Sequence, residues 1–160
     1  MSITHTLDRG AGPWTIALLA GGESDEAVIS RRSGAAVQQA LTSRGHTVVP
    51  LDPALIDLRG IDWRPFDVAF LALHGRFGED GQVQELLERI GIPYTGSDAA
   101  TSRLCFSKSA AKERLLQFGV PTPEYILVHE DDPLERLLGT VEQLGLPVVI
   151  KPDTQGSSLG

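Results

Sequence analysis

The first hundred residues alternate between short apolar runs and segments whose apolar positions recur with a helical period. Residues 14–20 form an apolar run of strand length that ends at Gly21-Gly22, and residues 26–44 place apolar side chains close to every 3.6 residues. Gly45 stops that helix, and residues 46–51 predict a second strand. The order of strand, glycine turn, helix and strand is typical of the βαβ unit of a parallel sheet.

The same alternation continues to about residue 104. Residues 67–73 predict a third buried strand, and residues 79–90 predict a helix with one apolar face. Residues 92–96 predict a short strand or an extended segment, after which Ser97 is the candidate cap of another helix. The sequence therefore predicts an α/β fold, with a Rossmann-like parallel sheet in the N-terminal domain.

A second pattern starts near residue 107 and ends in a loop rich in glycine and serine, residues 154–160. A loop of this kind normally returns to a strand, so we interpret the second unit as unfinished and the chain as a fragment. The predicted domains are a loose leader at 1–12, the parallel-sheet domain at 13–106 and the truncated start of a second domain at 107–160. Within the second domain we predict helices at 107–118 and 133–144 and strands at 125–129 and 148–151.

Composition limits the function classes. The chain has 160 residues, 41% of them hydrophobic, and a formal net charge of −7. This acidic balance argues against a nucleic-acid binder, although a few placed lysines can still hold a nucleotide. No apolar run approaches the roughly 20 residues that span a bilayer. With a single cysteine, Cys105, the chain forms no internal disulfide, and we expect a cytoplasmic protein with no membrane partner.

Two side chains near the predicted strand ends are candidate ligand-binding groups. Glu26 follows the Gly21-Gly22 turn at the start of a helix, where backbone N–H groups lack partners; the alternative is a plain connecting turn with an acid at the positive helix end. The spacing is not that of a dinucleotide fingerprint. His74 follows a buried strand, where ligands bind in open α/β sheets; the alternative is a half-buried histidine that a backbone carbonyl satisfies. Glu79 and Asp80 are interpreted as the first residues of the next helix.

Two lysines are candidate phosphate contacts. Lys151 ends an apolar predicted strand, where a charge is costly unless an anion pairs with it, and small and hydroxyl residues suited to phosphate follow it. Lys108 lies in the first turn of a predicted helix, where the dipole disfavours a cation and an anion would compensate. For Lys108 alone, a solvated surface lysine is the alternative.

Four segments carry a family resemblance, in the order "LLAGGESDE", "LALHGRFGEDGQVQELLERIGIPYTGS", "SKSAAKERLLQFGVPTPEY" and "LGLPVVIKPDTQGSSLG". In this order they resemble the D-alanine–D-alanine ligases of the ATP-grasp superfamily, over roughly residues 14 to 160. The second segment is specific to this family, whereas "KP…GSS" is shared with other ATP-grasp enzymes. The resemblance implies a pre-ATP-grasp N-terminal domain followed by the beginning of an ATP-grasp α+β domain.

The resemblance also implies an activity. The carboxylate of one D-alanine would attack the γ-phosphate of ATP, and the amine of a second D-alanine would attack the resulting acyl phosphate, giving the dipeptide used in peptidoglycan and hence in cell-wall biogenesis and cell shape. Such chemistry depends on charge neutralisation and positioning. The magnesium ligands of the family lie in a C-terminal domain, so we expect no metal ligand in this chain and no ligase activity from it alone. A homodimer is the expected assembly.

The resemblance assigns roles residue by residue. Glu26 matches the glutamate that binds the ammonium group of the first D-alanine, and His74 matches the histidine near its carboxyl group. Lys108 and Lys151 match the lysines on the ATP phosphates. Ser157, beside Ser158, matches the serine loop that closes over substrate and phosphates, so Glu26 and Ser157 are the predicted catalytic pair.

Three positions depart from the family pattern. Ala27 and Val28 replace a basic and an acidic residue, and Gln155 replaces an acid before the Gly-Ser-Ser loop. These changes put the positioning of the first substrate and the identity of the second in doubt. The alternatives are a D-alanine–D-lactate or other carboxylate–amine ligase, and a non-catalytic α/β binding module.

Overall fold

The computed structural model of the chain describes residues 12–155. Most of the predicted leader and the loop serines Ser157 and Ser158 lie outside the described residues. The chain divides into two compact units, one up to Leu104 and one from Cys105. Each unit is described by itself below. Across the described range, no helix is both long enough and apolar enough to cross a membrane.

The first unit has the predicted alternation of strands and helices, and the second unit is helical where it is regular. The elements are β1 (Thr15–Leu19), α1 (Ala27–Ser43), β2 (Thr47–Leu51), a 3-10 turn (Leu58–Gly60), β3 (Val68–Leu71), α2 (Gln82–Ile90), α3 (Ala99–Phe106), α4 (Lys108–Gln117) and α5 (Leu134–Leu144).

The sheet of the first unit is parallel and three-stranded, in the order β2-β1-β3. Thr15 of β1 is in register with Thr47 of β2, and Ile16 of β1 with Val68 of β3. The short strand predicted at 92–96 is reduced to one parallel bridge, between Ala69 and Tyr94. The predicted α/β class and the parallel sheet are confirmed, and the carboxyl ends of all three strands lie along one edge.

The core of the first unit is built around the central strand. Ala17 and Leu19 of β1 have no exposed surface, and neither do Val83 and Leu87 on the buried face of α2. A strand covered on both faces reads as a continuous apolar run, which is why β1 was recognisable from sequence. Other side chains of this core include Leu51, Leu58, Trp63, Ala69, Leu73 and Ile92.

Helix α1 packs differently from its sequence prediction. The predicted buried face included Val28 and Ile29, but Val28 is 65% exposed and Ile29 43%. The buried positions are Ser30 and Gly34 instead. A Cβ atom on Gly34 would lie 2.5 Å from the Cβ of Ala20, so the helix backbone approaches the end of β1 closely. Small residues make this approach possible, and apolar periodicity does not detect them.

The second unit lacks the two predicted strands. Residues 125–129 and 148–151 are outside any strand, and no residue of the described range 105–155 is buried. Val149 and Ile150 are 78% and 86% exposed. A strand requires a neighbouring strand for its backbone hydrogen bonds, and the described residues of this unit supply none. The strand predictions are therefore wrong for this structure, although the apolar pattern remains.

The helix caps are partly as predicted. Ser107 precedes α4, and its hydroxyl accepts a hydrogen bond from the Ala110 N–H. Ser97 was the predicted cap of α3, but Asp98 performs this role by accepting from the Thr101 N–H at 2.7 Å. Both residue types are good caps, so adjacent candidates cannot be separated by type alone.

The packing predicts that alanine substitutions at two leucines of the first unit have very different effects on the free energy of unfolding. Replacing the fully buried Leu87 with alanine should lower the free energy of unfolding by about 2–5 kcal/mol, because it removes apolar contacts and leaves a cavity. The matched control is Leu55→Ala, at a side chain that is 80% exposed, which should change it by less than about 0.5 kcal/mol. Urea unfolding followed by circular dichroism measures both. Equal losses in the two variants would contradict the described core.

Candidate functional site

The loops after β1 and β3 meet at the carboxyl edge of the sheet. Gly21 and Gly22 follow β1 with positive φ angles of +96° and +83°. The Gly21 N–H donates to the hydroxyl of Ser30 at 2.8 Å, and this hydroxyl donates to the Ala72 carbonyl at 2.7 Å. The buried Ser30 therefore joins the two loops through one hydroxyl group. No sequence signal had singled it out.

Asp52 holds the glycine turn from the end of β2. Its Oδ1 accepts from the Gly22 N–H at 2.8 Å and from the Ala54 N–H at 3.0 Å, and Arg31 Nε donates to Oδ2 at 3.1 Å. Partial burial raises the pKa of Asp52, but the hydrogen bonds from Gly22, Ala54 and Arg31 outweigh it, so the pKa lies below its usual value. Sequence analysis missed this residue too, although an aspartate that directly follows a strand was the available signal.

The backbone at Gly21 requires glycine for two reasons. Its positive φ is costly for any residue with a Cβ atom. A Cβ at this position would also lie 2.1 Å from Oδ2 of Asp52. The glycine turn is therefore part of the site's architecture, and it is more than a flexible connection.

Glu26 directly precedes α1 and is 3% exposed. Its side chain makes no hydrogen bond to a backbone N–H of the helix, and its place at the start of α1 agrees with the alternative of an acid at the positive helix end. Among residues 12–155, no hydrogen-bond or ion-pair partner of its carboxylate is found. The carboxylate lies against Gly75, where an added Cβ would be only 2.3 Å from Oε2.

A buried carboxylate without a partner is energetically expensive. Removal of the charge from water costs several kcal/mol or more unless a counter-ion or hydrogen-bond donors replace the water. A cationic ligand such as an ammonium group would provide both. The arrangement can therefore serve as a site for a small cation-bearing molecule.

His74 lies three residues beyond β3 and is half-buried. Its Nε2 is 3.1 Å from Ser33 Oγ, and its Nδ1 is 3.8 Å from Oε1 of Glu79. Among the described residues, the ring nitrogens thus contact two side chains. The alternative interpretation had expected a hydrogen bond to a backbone carbonyl instead. The Nδ1 contact with Glu79 is longer than a hydrogen bond, and the tautomer of the ring decides whether Nε2 or Ser33 Oγ donates.

Glu26 and His74 belong to one cluster. The Ser24 hydroxyl, from the turn before Glu26, donates to the His74 carbonyl at 2.8 Å. Gly75, the neighbour of His74, is the residue against which the Glu26 carboxylate lies. The two predicted substrate residues are thereby brought together at the same loop pair. We call Ser24, Glu26, His74 and Gly75 the Glu26 cluster.

Glu79 and Asp80 are not helical, contrary to the sequence prediction, since α2 begins at Gln82. Glu79 Oε2 accepts from the Gly75 N–H at 2.8 Å. Asp80 accepts from the N–H groups of Phe77 at 2.9 Å and Gln82 at 3.1 Å. Both acids accept hydrogen bonds from nearby backbone N–H groups. Such side-chain bonds compete with the backbone hydrogen bonds of a helix, so this segment is not helical.

Lys108 is the first residue of α4, as the sequence predicted. Its Nζ donates to the carbonyl of Gln155 at 2.6 Å, with the Asp153 carbonyl at 3.4 Å, and its backbone N–H donates to the Asp153 carbonyl at 3.0 Å. Carbonyl dipoles thus compensate the charge that was expected to need an anion. The lysine is bound to the segment that follows Lys151.

Lys151 is exposed and, among the described residues, makes no hydrogen bond or ion pair. The prediction that its charge needs a partner rested on a strand at 148–151, which is not formed. A solvated ammonium group has no desolvation to offset, so that physical argument is wrong here. Ser157 and Ser158 lie outside the described residues.

No group of three or more His, Cys, Asp or Glu side chains within residues 12–155 is arranged to hold a metal ion. Magnesium prefers oxygen ligands in octahedral geometry, and the described carboxylates of the Glu26 cluster do not provide such a set. The described residues therefore do not fit a magnesium site.

Comparisons with known proteins agree with the sequence-based resemblance. A family model described as the D-alanine–D-alanine ligase N-terminus matches residues 54–97. A D-alanine–D-alanine ligase of Desulforudis audaxviator is 48% identical over 145 residues, which are 91% of this chain and 47% of that protein. The chain spans about half the length of the curated relatives it matches.

Solved structures agree in fold. A D-alanine–D-alanine ligase of Bacillus anthracis, crystallised with ATP, superposes with a TM-score of 0.74 at 34% identity, covering 89% of this chain and 48% of that one. D-alanyl-alanine synthetase A of Vibrio cholerae gives a TM-score of 0.75 at 26% identity, covering 92% of this chain and 50% of that one. The resemblance predicted from the four sequence segments is confirmed.

The Glu26 carboxylate, which has no partner among the described residues, leads to a prediction about the stability of the chain in the absence of a ligand. Glu26→Gln should raise the free energy of unfolding by about 1 kcal/mol or more, because a neutral amide is far cheaper to bury than an unpaired charge. Chemical unfolding at neutral pH measures the change. The matched control is Glu23→Gln, at an exposed acid of the same loop, which should alter stability by less than about 0.5 kcal/mol. A loss of stability in Glu26→Gln would mean that the carboxylate has a partner in the free chain.

Proposed function

We propose that this chain, which is related in sequence and fold to the D-alanine–D-alanine ligases, is the N-terminal part of an ATP-dependent enzyme that joins two D-alanine molecules. The observation that carries the proposal is the buried, unpartnered carboxylate of Glu26 beside His74. The reaction would proceed through an acyl phosphate, formed when the carboxylate of the first D-alanine attacks the γ-phosphate of ATP. The dipeptide would enter peptidoglycan.

Glu26 would bind the ammonium group of the first D-alanine. An ammonium ion offers both a positive charge and three N–H donors, and the free carboxylate lacks both kinds of partner. Because Glu26 is only 3% exposed, little further desolvation of its carboxylate would be needed when the ligand enters. A neutral hydroxy acid in the same place would leave the charge uncompensated, so the site favours an amino acid as first substrate.

His74 would lie near the carboxyl group of the same substrate. Its ring is fixed on two sides, by Ser33 at Nε2 and by Glu79 toward Nδ1. A ring in a fixed orientation can direct the substrate carboxylate toward the phosphate without losing side-chain entropy at binding. Glu26 and His74 would thus hold the two ends of one small amino acid.

Lys108 and Lys151 would contact the phosphates of ATP, with Ser157 and Ser158 in the loop that closes over them. An ammonium group has three donors, and two carbonyl oxygens near Lys108 Nζ leave one N–H for a phosphate oxygen. Loop closure would exclude water, which protects an acyl phosphate from hydrolysis. Glu26 and Ser157 remain the proposed catalytic pair.

The remaining requirements lie outside this chain. Magnesium would be bound by a C-terminal domain, where it would neutralise the charge of the phosphates. We further propose a cytoplasmic homodimer. The chain spans about half of its relatives, so the proposed activity is that of the complete protein.

The proposed role of Glu26 predicts a large kinetic effect in the complete reading frame. Glu26→Gln should lower kcat/KM for D-alanine by roughly 30- to 5,000-fold, since loss of one partner of a buried charge pair costs about 2–5 kcal/mol. ADP release in a coupled assay measures the change. The KM for ATP should stay within about threefold, because the carboxylate would touch only the amino acid.

Two controls make this result interpretable. Glu23→Gln, at the exposed neighbouring acid, should keep the kinetic constants of the parent enzyme. The 160-residue chain by itself, supplied with ATP, Mg²⁺ and D-alanine, should release no ADP. Parent-like kinetics in Glu26→Gln would contradict the proposed ammonium site, and clear turnover by the isolated chain would contradict the proposal that it is one part of the enzyme.

A further inference from the structure

Asp153 occupies a central place in the second unit that no motif had indicated. Its Oδ1 accepts from the Ser109 N–H at 2.7 Å, and its Oδ2 accepts from the Ser107 hydroxyl at 2.8 Å. Its backbone carbonyl accepts from the Lys108 N–H at 3.0 Å. One residue thus binds three successive residues at the start of α4.

This contact network joins the two backbone segments that carry the candidate phosphate lysines. Asp153 is two residues beyond Lys151, across the stiff ring of Pro152, which limits backbone freedom. On the other side it holds the first residue of α4, which is Lys108. A change in the Asp153 contacts would therefore change the separation of the two ammonium groups.

The carboxylate is ionised under ordinary conditions. Partial burial raises the pKa of Asp153, but hydrogen bonds from Ser109 and Ser107 and the nearby Lys108 charge outweigh it, so the pKa lies below its usual value. Charge-assisted hydrogen bonds of this kind are stronger than neutral ones. The positive end of the α4 dipole adds to the attraction.

We propose that Asp153 is a positioning residue for nucleotide binding, which sets the spacing of Lys108 and Lys151 by joining the segment after Lys151 to the start of α4. This inference rests on the proposed function, because it takes phosphate as the ligand of the two lysines. Asp153 itself does not touch the nucleotide. A purely structural role would affect folding of the unit but would not single out nucleotide affinity.

The test measures the binding of a non-hydrolysable ATP analogue to the complete protein by calorimetry. Asp153→Ala should weaken the Kd for the analogue by about tenfold or more, because binding would then have to order the segment that carries Lys151. The Kd for D-alanine should stay unchanged. The matched control is Thr154→Ala, at an exposed neighbour with no hydrogen bond among the described residues, which should keep the parent Kd.

A reciprocal exchange tests whether the contact itself matters. The double variant Ser107→Asp with Asp153→Ser again pairs a hydroxyl with a carboxylate, now on the helix side, where an aspartate also caps α4. It should recover most of the affinity that Asp153→Ser alone loses. No recovery beyond the single variant would contradict a positioning role for this contact.

The two proposals fail in distinguishable ways. If Asp153→Ala binds the analogue as tightly as the parent, the positioning role is wrong, while ligase activity of the parent still supports the proposed function. If the parent binds the analogue but does not join D-alanine, the proposed function is wrong, and a weaker Kd in Asp153→Ala still supports the positioning role. Equal loss of affinity for the analogue and for D-alanine would indicate misfolding and would overturn the inference.

Discussion

One uncompensated charge organises the first unit. Glu26 is almost fully buried at the start of α1, and its carboxylate has no hydrogen-bond or ion-pair partner among the described residues. Gly75 has no side chain to block the carboxylate, and the Ser24 hydroxyl holds the adjacent His74 carbonyl. The two loops therefore leave the Glu26 carboxylate without a positively charged partner among the described residues.

Polar side chains, not apolar ones, hold these loops in place. Ser30 joins the ends of β1 and β3 through one hydroxyl, and Asp52 holds the glycine turn from β2. Directional hydrogen bonds in a buried setting fix geometry more narrowly than apolar contacts, because a displaced partner leaves an unsatisfied group. These hydrogen bonds account for the buried Ser30 of α1, and the close approach of the helix to Ala20 accounts for the buried Gly34.

Sequence reasoning predicted the features that depend on local periodicity and missed those that depend on contacts. The buried run of β1 and the helical period of α2 gave the parallel α/β fold. Ser30 is an ordinary polar residue until the strand ends meet, so no local pattern marks it, whereas Asp52 could have been found from its place directly after β2. The strands predicted at 125–129 and 148–151 failed because a strand depends on a neighbouring strand, which an apolar run cannot guarantee.

The two units differ in how far they are prepared for their proposed ligands. Glu26 is almost fully buried and its carboxylate has no partner among the described residues, so a cationic ligand would complement it. Lys151 is solvated, and Lys108 is satisfied by carbonyl oxygens of its own unit, so neither lysine requires a phosphate to be stable. Only the family resemblance links the two lysines to ATP. The proposed role of Glu26 has a second support, which is the burial of its side chain. Under the proposed function, recognition of the amino acid would be a property of the first unit's fold, and phosphate binding would depend on how Asp153 spaces Lys108 and Lys151.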